Sequence, residues 1–370
     1  MKTFVYRLYP SKAQRKLLES TLETCRRFYN DCLSERQAVY ELEERTLGKT
    51  EQLRRVKTHK EKNSHAENIH SHILQVVVQD LQKAFDAFYR RVKSGETPGY
   101  PRYKGEHRFR SFGLKEYGNG FRMDGRRLRI SGIGRIGVRW HRPIEGKIKT
   151  LRVTRKANRW YAAFACEVEP KPCPLPVETE VGLDAGVYAL YTLSNGECVE
   201  NPRWYQTEQE KLARQQQVVS RRKRGGSNRR KAIRILARTH HRVANQRKDF
   251  LHKLSHSLVQ RFGKIACEDL NIAKMAGKTV LDAGWGFFKQ CLSYKAENAG
   301  RTVVFVNPAY TSQDCCECGS RQEMPLSQRW YSCGCGNARD RDENAALNIL
   351  QAGRACWVRG SPLPQEAAGL

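Results

Sequence analysis

The chain has 370 residues, 39% hydrophobic and 9% aromatic, which suits two or three folded domains and excludes a disordered protein. Its 67 basic and 38 acidic side chains leave a net charge of +29, which calls for a polyanionic partner. No apolar run reaches the roughly 18 residues of a membrane span, and Met1 to Arg7 lacks a signal-peptide core, so the expected location is the cytoplasm.

Residues 2–9 alternate as a strand. Pro10-Ser11 opens a helix with Ser11 as N-cap, and Leu17, Leu18, Leu22, Cys25, Phe28, Tyr29 and Leu33 follow at helical spacing. Arg26 and Arg27 lie on that helix, where one side can meet a phosphate backbone. Residues 34–63 are polar, charged and expected to be helical. Ile73, Val76, Val77, Leu81, Ala84, Phe85 and Phe88 mark another amphipathic helix, with Gln75 and Gln79 on its polar side as candidate base contacts. Gly95 to Gly105 reads as loop. Short alternating runs continue to about Val168 and predict a small antiparallel barrel, to which residues 2–9 add a strand. Tyr103 and Lys104 belong to a basic and aromatic stretch suited to RNA or unpaired bases.

Pro170 to Pro176 reads as a stiff linker and the clearest domain boundary. Val181 to Leu193 reads as strand, tight turn and strand, with Asp184 interrupting an apolar run. Residues 203–262 read as two basic helices broken at Gly225-Gly226-Ser227. From Ser220 to Phe250 there are 12 Lys/Arg against the single acid Asp249. Arg221, Arg222, Arg229 and Arg230 are its candidate backbone contacts. A strand ending in Glu268, a helix over 285–299 and a strand over 302–306 follow. The order predicts an α/β domain with a mixed sheet.

Thirteen cysteines in a reducing compartment point to metal where they cluster. Cys315-x-x-Cys318 and Cys333-x-Cys335, 14 residues apart, predict a four-cysteine structural zinc ribbon, with Cys316 as a spare ligand. Asp184, Glu268 and one of Asp340 or Asp342 come from three distant places. Three converging carboxylates repel one another unless a divalent cation neutralises them, and oxygen ligands favour Mg²⁺ or Mn²⁺. Two such ions would activate water and stabilise the leaving oxygen in phosphodiester cleavage.

Several motifs together resemble the TnpB (OrfB) family of transposon-encoded RNA-guided DNA endonucleases, relatives of the compact type V CRISPR effectors. They are Arg7-Leu8-Tyr9-Pro10, Arg27-Phe28-Tyr29-Asn30-Asp31-Cys32-Leu33, Gly182-Leu183-Asp184-Ala185-Gly186, Glu268-Asp269-Leu270, Asp282-Ala283-Gly284-Trp285, Tyr294-Lys295-Ala296-Glu297, Thr311-Ser312-Gln313 and Asp340-Arg341-Asp342-Glu343-Asn344-Ala345-Ala346. The resemblance covers nearly the whole chain. It implies a RuvC-like nuclease with an RNase H fold over 171–310 and 337–353, containing the basic hairpin 203–262 and interrupted by a zinc ribbon over 311–336. It implies a WED-like β-barrel over 1–10 and 92–170 and a REC-like helical insertion over 11–91. After Leu350 the composition loosens, and Ser361-Pro362-Leu363-Pro364 suggests a disordered tail over 354–370. The resemblance implies Asp184, Glu268 and Asp342 as the Mg²⁺-binding acids, a guide RNA from the transposon end, a double-stranded DNA target and a short target-adjacent motif. The family's second cysteine pair is Cys-x-x-Cys; this chain has Ser332 and Cys333 in its place. A silent RNA-guided repressor and a transposase are the competing readings. The order Asp, Glu, Asp argues against a strand-transfer transposase.

Overall fold

Phe4, Tyr6 and Leu8 alternate with outward residues along Lys2–Tyr9, and this stretch is the first strand, β1. The computed structural model describes residues 1–106, 108–169, 178–186, 188–271, 275, 282–325 and 327–358. The expected linker Pro170 to Pro176 and residues 359–370 lie outside them. The chain divides into two units, 1–169 and 170–370.

In the first unit β1 leads into α1 (Lys12–Glu43). Ser11 Oγ accepts from Gln14 N, and Gln14 Oε1 accepts from Ser11 N, a reciprocal cap. The helices α2 (Lys49–Lys62), α3 (Ser64–Glu67) and α4 (Ser71–Lys93) follow. Seven strands come next: β2 (Ser111–Leu114), β3 (Glu116–Tyr117), β4 (Gly120–Asp124), β5 (Arg127–Ile130), β6 (Gly134–Arg139), β7 (Lys147–Lys156) and β8 (Arg159–Glu167). They join β1 in an eight-stranded sheet ordered β2-β7-β8-β1-β6-β5-β4-β3, so the first strand of the chain sits in its middle. The two edge strands, β2 and β3, are joined by Lys115 alone. One residue spans only about 3.5 Å, so the sheet is rolled until its edges meet. Phe4, Tyr6, Leu8, Trp160 and Phe164 share one core with Leu18, Phe28, Leu74 and Leu81 of the helices.

The second unit begins with β9 (Glu180–Asp184), β10 (Ala189–Leu193) and β11 (Cys198–Glu200). The long helices α5 (Trp204–Arg221) and α6 (Ser227–Arg261) form a hairpin broken at Gly225-Gly226. Then come β12 (Lys264–Glu268), α7 (Trp285–Asn298) and β13 (Thr302–Val306). The sheet order is β11-β10-β9-β12-β13, with β9, β12 and β13 parallel and β10 and β11 antiparallel additions. Alternation along the strands feeds two layers. Val181, Leu183, Ile265, Cys267 and Val303 face α6 and α7. Ala266 and Val306 pack on the other side, against Ile349 of the last helix, α8 (Arg341–Val358). Helices on both faces are the usual cover of parallel strands.

Two boundaries differ from expectation. The final helix runs to Val358, so 354–358 are ordered helix and not tail, because Cys356 and Trp357 pack on the layer under α8. The cysteine segment also ends later than 336. Its strands β14 (Trp330–Ser332) and β15 (Ala338–Asp340) pair, and β15 runs directly into α8. Among the described residues no helix is long and apolar enough to cross a membrane.

Candidate functional site

Asp184 ends β9 and Glu268 ends β12. The two strands are parallel neighbours with Leu183 opposite Cys267, so the next register step sets Asp184 beside Glu268. Period-two alternation puts both acids on the face that carries Gly182 and Ala266, the face under α8. That helix meets β9 backbone to backbone at Gly182, and its Gly353 rests on Ala266. Its first turn carries Asp342, whose Oδ2 lies 3.8 Å from where a Gly186 side chain would begin. The three acids therefore converge from β9, β12 and α8. Each stays half-buried, so an ion can reach them.

Their electrostatics agree. Burial, then the charges of Glu268 and Asp342, push the Asp184 carboxyl well above its ordinary range. Burial raises Glu268 against a bond from the Thr311 hydroxyl at 2.7 Å. Burial and Asp340 raise Asp342, partly offset by Arg329 and Arg341. The Arg329 guanidinium stands 3.5 Å from Asp342 and 3.9 Å over the Tyr188 ring. A carboxylate trio that resists ionisation in isolation is a fitting seat for divalent cations, which supply the missing positive charge.

Asp340 has different work. Its Oδ1 accepts the backbone N–H groups of Asp342 (2.8 Å) and Glu343 (3.4 Å), so it caps the N-terminus of α8.

In the segment before α8, the Sγ atoms of Cys315, Cys318, Cys333 and Cys335 all lie within 4.8 Å of one another. Cys315–Cys335 and Cys318–Cys333 are 3.7 and 3.6 Å apart. Four sulfurs at about 2.3 Å around one metal stand about 3.8 Å apart, a spacing at which these four could hold one ion. Burial resists ionisation of Cys315, but the N–H of Cys318 and the Asn337 amide bring its pKa down to about 6. The N–H of Cys335 and the Ser320 hydroxyl lower Cys333. Cys316 is buried beside the group and raised by that burial, and it is not one of the four. Tyr331, fully buried, closes the clip by donating to the carbonyls of Gln313 and Ser320.

The candidate nucleic-acid contacts divide. In the first unit Arg26 forks onto Glu23 and also donates to the Lys104 carbonyl. Arg27 meets Glu23 too but stays exposed, and the two arginines, Arg26 first, hold the Glu23 carboxyl down at about 2. The Lys104 backbone N–H donates to Asn30, while Tyr103 is exposed and donates to Gln37. Gln75 accepts from Lys115, and Gln79 is half-buried. In the second unit Arg221, Arg222 and Arg230 are exposed along the hairpin. Arg229 instead braces the turn, donating to the carbonyls of Val219 and Arg222. Sequence reading missed the contacts of Thr311, Arg329 and Tyr188. Thr311 carried a signal, as the first residue of the Thr-Ser-Gln run before the cysteines.

The OrfB_IS605 family profile, described as "Probable transposase", matches residues 163–279. A "Cas12f1-like, TNB domain" profile matches 285–349, and a "Helix-turn-helix domain" profile matches 1–45, which here form one strand and one unbroken helix. A protein of Streptomyces pristinaespiralis named "Putative RNA-guided DNA endonuclease" is 34% identical over 380 residues, covering 99% of this chain and 92% of its own. InsQ of Escherichia coli K12, which bears the same name, is 32% identical over 323 residues, covering 79% and 78%. A solved Cas12f1–sgRNA–target DNA complex shares the mixed α/β fold, with a TM-score of 0.57 at 12% identity over 91% of this chain and 82% of that one.

Proposed function

Because the chain belongs to the OrfB (TnpB) family, we propose that it is an RNA-guided DNA endonuclease. The observation that carries this reading is the convergence of Asp184, Glu268 and Asp342 on one face of the second unit's sheet, in a chain of net charge +29. On this reading residues 171–310 and 337–353 are a RuvC-like nuclease of RNase H fold, and the rolled sheet and helices of the first unit are its WED-like and REC-like parts. The guide comes from the transposon end, and a short motif beside the target admits the double-stranded DNA.

Asp184, Glu268 and Asp342 would hold Mg²⁺ or Mn²⁺. With such ions held there, the site would supply activation of water and stabilisation of the leaving oxygen of a phosphodiester. The protein's own part is positioning. Strands β9 and β12 fix two carboxylates at adjacent ends, and α8 brings the third, with Asp340 capping that helix so that Asp342 is free for the ion. Cys315, Cys318, Cys333 and Cys335 would hold structural zinc. With all four positions taken by sulfur, such an ion would hold shape and leave the chemistry to the acids. Exposed Arg221, Arg222 and Arg230 would meet nucleic-acid backbone, as would Arg27 in the first unit, and Tyr103 would meet RNA or unpaired bases.

The test is to sequence RNA that co-purifies with the protein, then to assay target cutting with Mg²⁺. A discrete RNA ending in variable sequence is expected, and Asp184→Ala should abolish cutting while keeping that RNA. Undiminished cutting by Asp184→Ala, or protein without RNA, overturns the reading.

A further inference from the structure

Thr311 touches two parts of the second unit at once. Its hydroxyl donates to Glu268 Oε1 at 2.7 Å, with the Pro308 carbonyl a second acceptor at 3.2 Å. Its carbonyl accepts from Asn348 Nδ2 at 2.8 Å. The segment that follows is fastened along α8. The Asp314 carbonyl accepts from Asn344 (2.8 Å) and Asn348 (2.6 Å). Cys316 N donates to Asn344 Oδ1 (3.1 Å), and its carbonyl accepts from Gln351 (2.7 Å). Positions 344, 348 and 351 are spaced four and three apart, so they share one helix face. Cys315, a member of the sulfur cluster, lies inside this segment. Six residues thus reach Glu268 at one end and the cysteine clip at the other, with the helix that carries Asp342 alongside.

We propose that Thr311 is a positioning residue for the carboxylate site, and that the 311–316 segment ties the place of Glu268 to metal loading of the cysteine clip. The proposal rests on reading Asp184, Glu268 and Asp342 as a divalent-cation site. A hydrogen bond to a carboxylate is charge-assisted and directional. It fixes which Glu268 oxygen faces the ion. Valine at 311 keeps the shape of threonine and loses the donor, whereas serine keeps the donor. Loss of such a supporting bond typically costs about 10–100-fold in metal affinity.

The experiment titrates Mn²⁺ into the purified full-length chain and follows the free ion by electron paramagnetic resonance. Zinc content and melting temperature are measured on each sample. Thr311→Val should bind Mn²⁺ about tenfold more weakly, or worse, with zinc and melting temperature close to the parent. Thr311→Ser should restore most of the affinity. Cys335→Ser, which empties the clip, should weaken Mn²⁺ binding in the same direction. Unchanged Mn²⁺ affinity in Thr311→Val sinks the positioning role, and so does loss of zinc or of fold in that variant. Unchanged affinity in zinc-free Cys335→Ser sinks the tie to the clip. Asp184→Ala is the separate control. If it binds Mn²⁺ as the parent does, the cation-site reading itself fails.

Discussion

Gly182 and Ala346 are in backbone contact: a Cβ on Gly182 would stand 2.1 Å from the Ala346 carbonyl oxygen and 2.8 Å from Leu350 N. Neither atom is the end of a flexible side chain, so α8 itself must move if the glycine acquires a methyl group. Gly182→Ala should therefore push Asp342 away from Asp184. We expect a loss of about 1–3 kcal/mol in stability and, from the displaced acid, about a hundredfold loss of cutting. Thermal melts and single-turnover cleavage check the two effects separately.

Asp340 and Asp342 should respond differently to the same change. Asparagine caps a helix as well as aspartate does, so Asp340→Asn should keep most of the activity. Asp340→Ala should cost about 0.5–2 kcal/mol of stability through the lost cap. Asp342→Asn should keep its fold and stop cutting. Cleavage assays on the three variants, each with a melting curve, decide between cap and ion ligand.

The raised carboxyls at Asp184, Glu268 and Asp342 give a pH dependence of definite sign. Without divalent ions the folded chain holds protons on these groups at pH values where the unfolded chain has lost them. Their contribution to stability is therefore fully present below the ordinary carboxylate range and is lost as pH rises through the raised folded values. A cation needs the ionised forms, so Mg²⁺ should raise the melting temperature more as pH increases through that window. Calorimetry across pH with and without Mg²⁺ measures this. In Asp184→Asn most of the Mg²⁺ increment should vanish.

The fifth cysteine separates ligand from neighbour. Cys335→Ser should strip the clip of zinc, while Cys316→Ser should retain it, because Cys316 lies outside the cluster of four. Elemental analysis of the purified variants reads this directly. Retention of a full complement by Cys335→Ser would count against the four-sulfur assignment.

Much of the second unit was legible in its sequence. Thr302 to Val306 is four β-branched residues and a phenylalanine, and Gly225-Gly226 punctuates a helical run, so strand and hairpin followed from local chemistry. The acids stood out because Asp184 and Glu268 end apolar strands. What stayed hidden depends on atoms far apart in the chain. The Gly182 contact is with Ala346 and Leu350, more than 160 residues later, and nothing local names that partner. Arg229 looks like the other hairpin arginines until its guanidinium is seen closing the turn between α5 and α6. Arg26 likewise reads as a phosphate contact, yet it forks onto Glu23. Composition counts such charges alike, whereas geometry sorts those facing outward from those spent inside.

The central place of β1 sets a timetable for synthesis. Lys2 pairs with Cys166 and Leu8 with Trp160, so the strand made first waits for the one made last in its unit. At about 5–20 residues per second that interval is roughly ten to thirty seconds. The helices α1 to α4 can begin to form meanwhile, and β6 can pair Arg7 to Tyr9, but Phe4 and Tyr6 have no strand partner until β8 arrives. A nascent chain halted before residue 160 would leave the β8 edge of that apolar strand open, a species suited to chaperones or to aggregation.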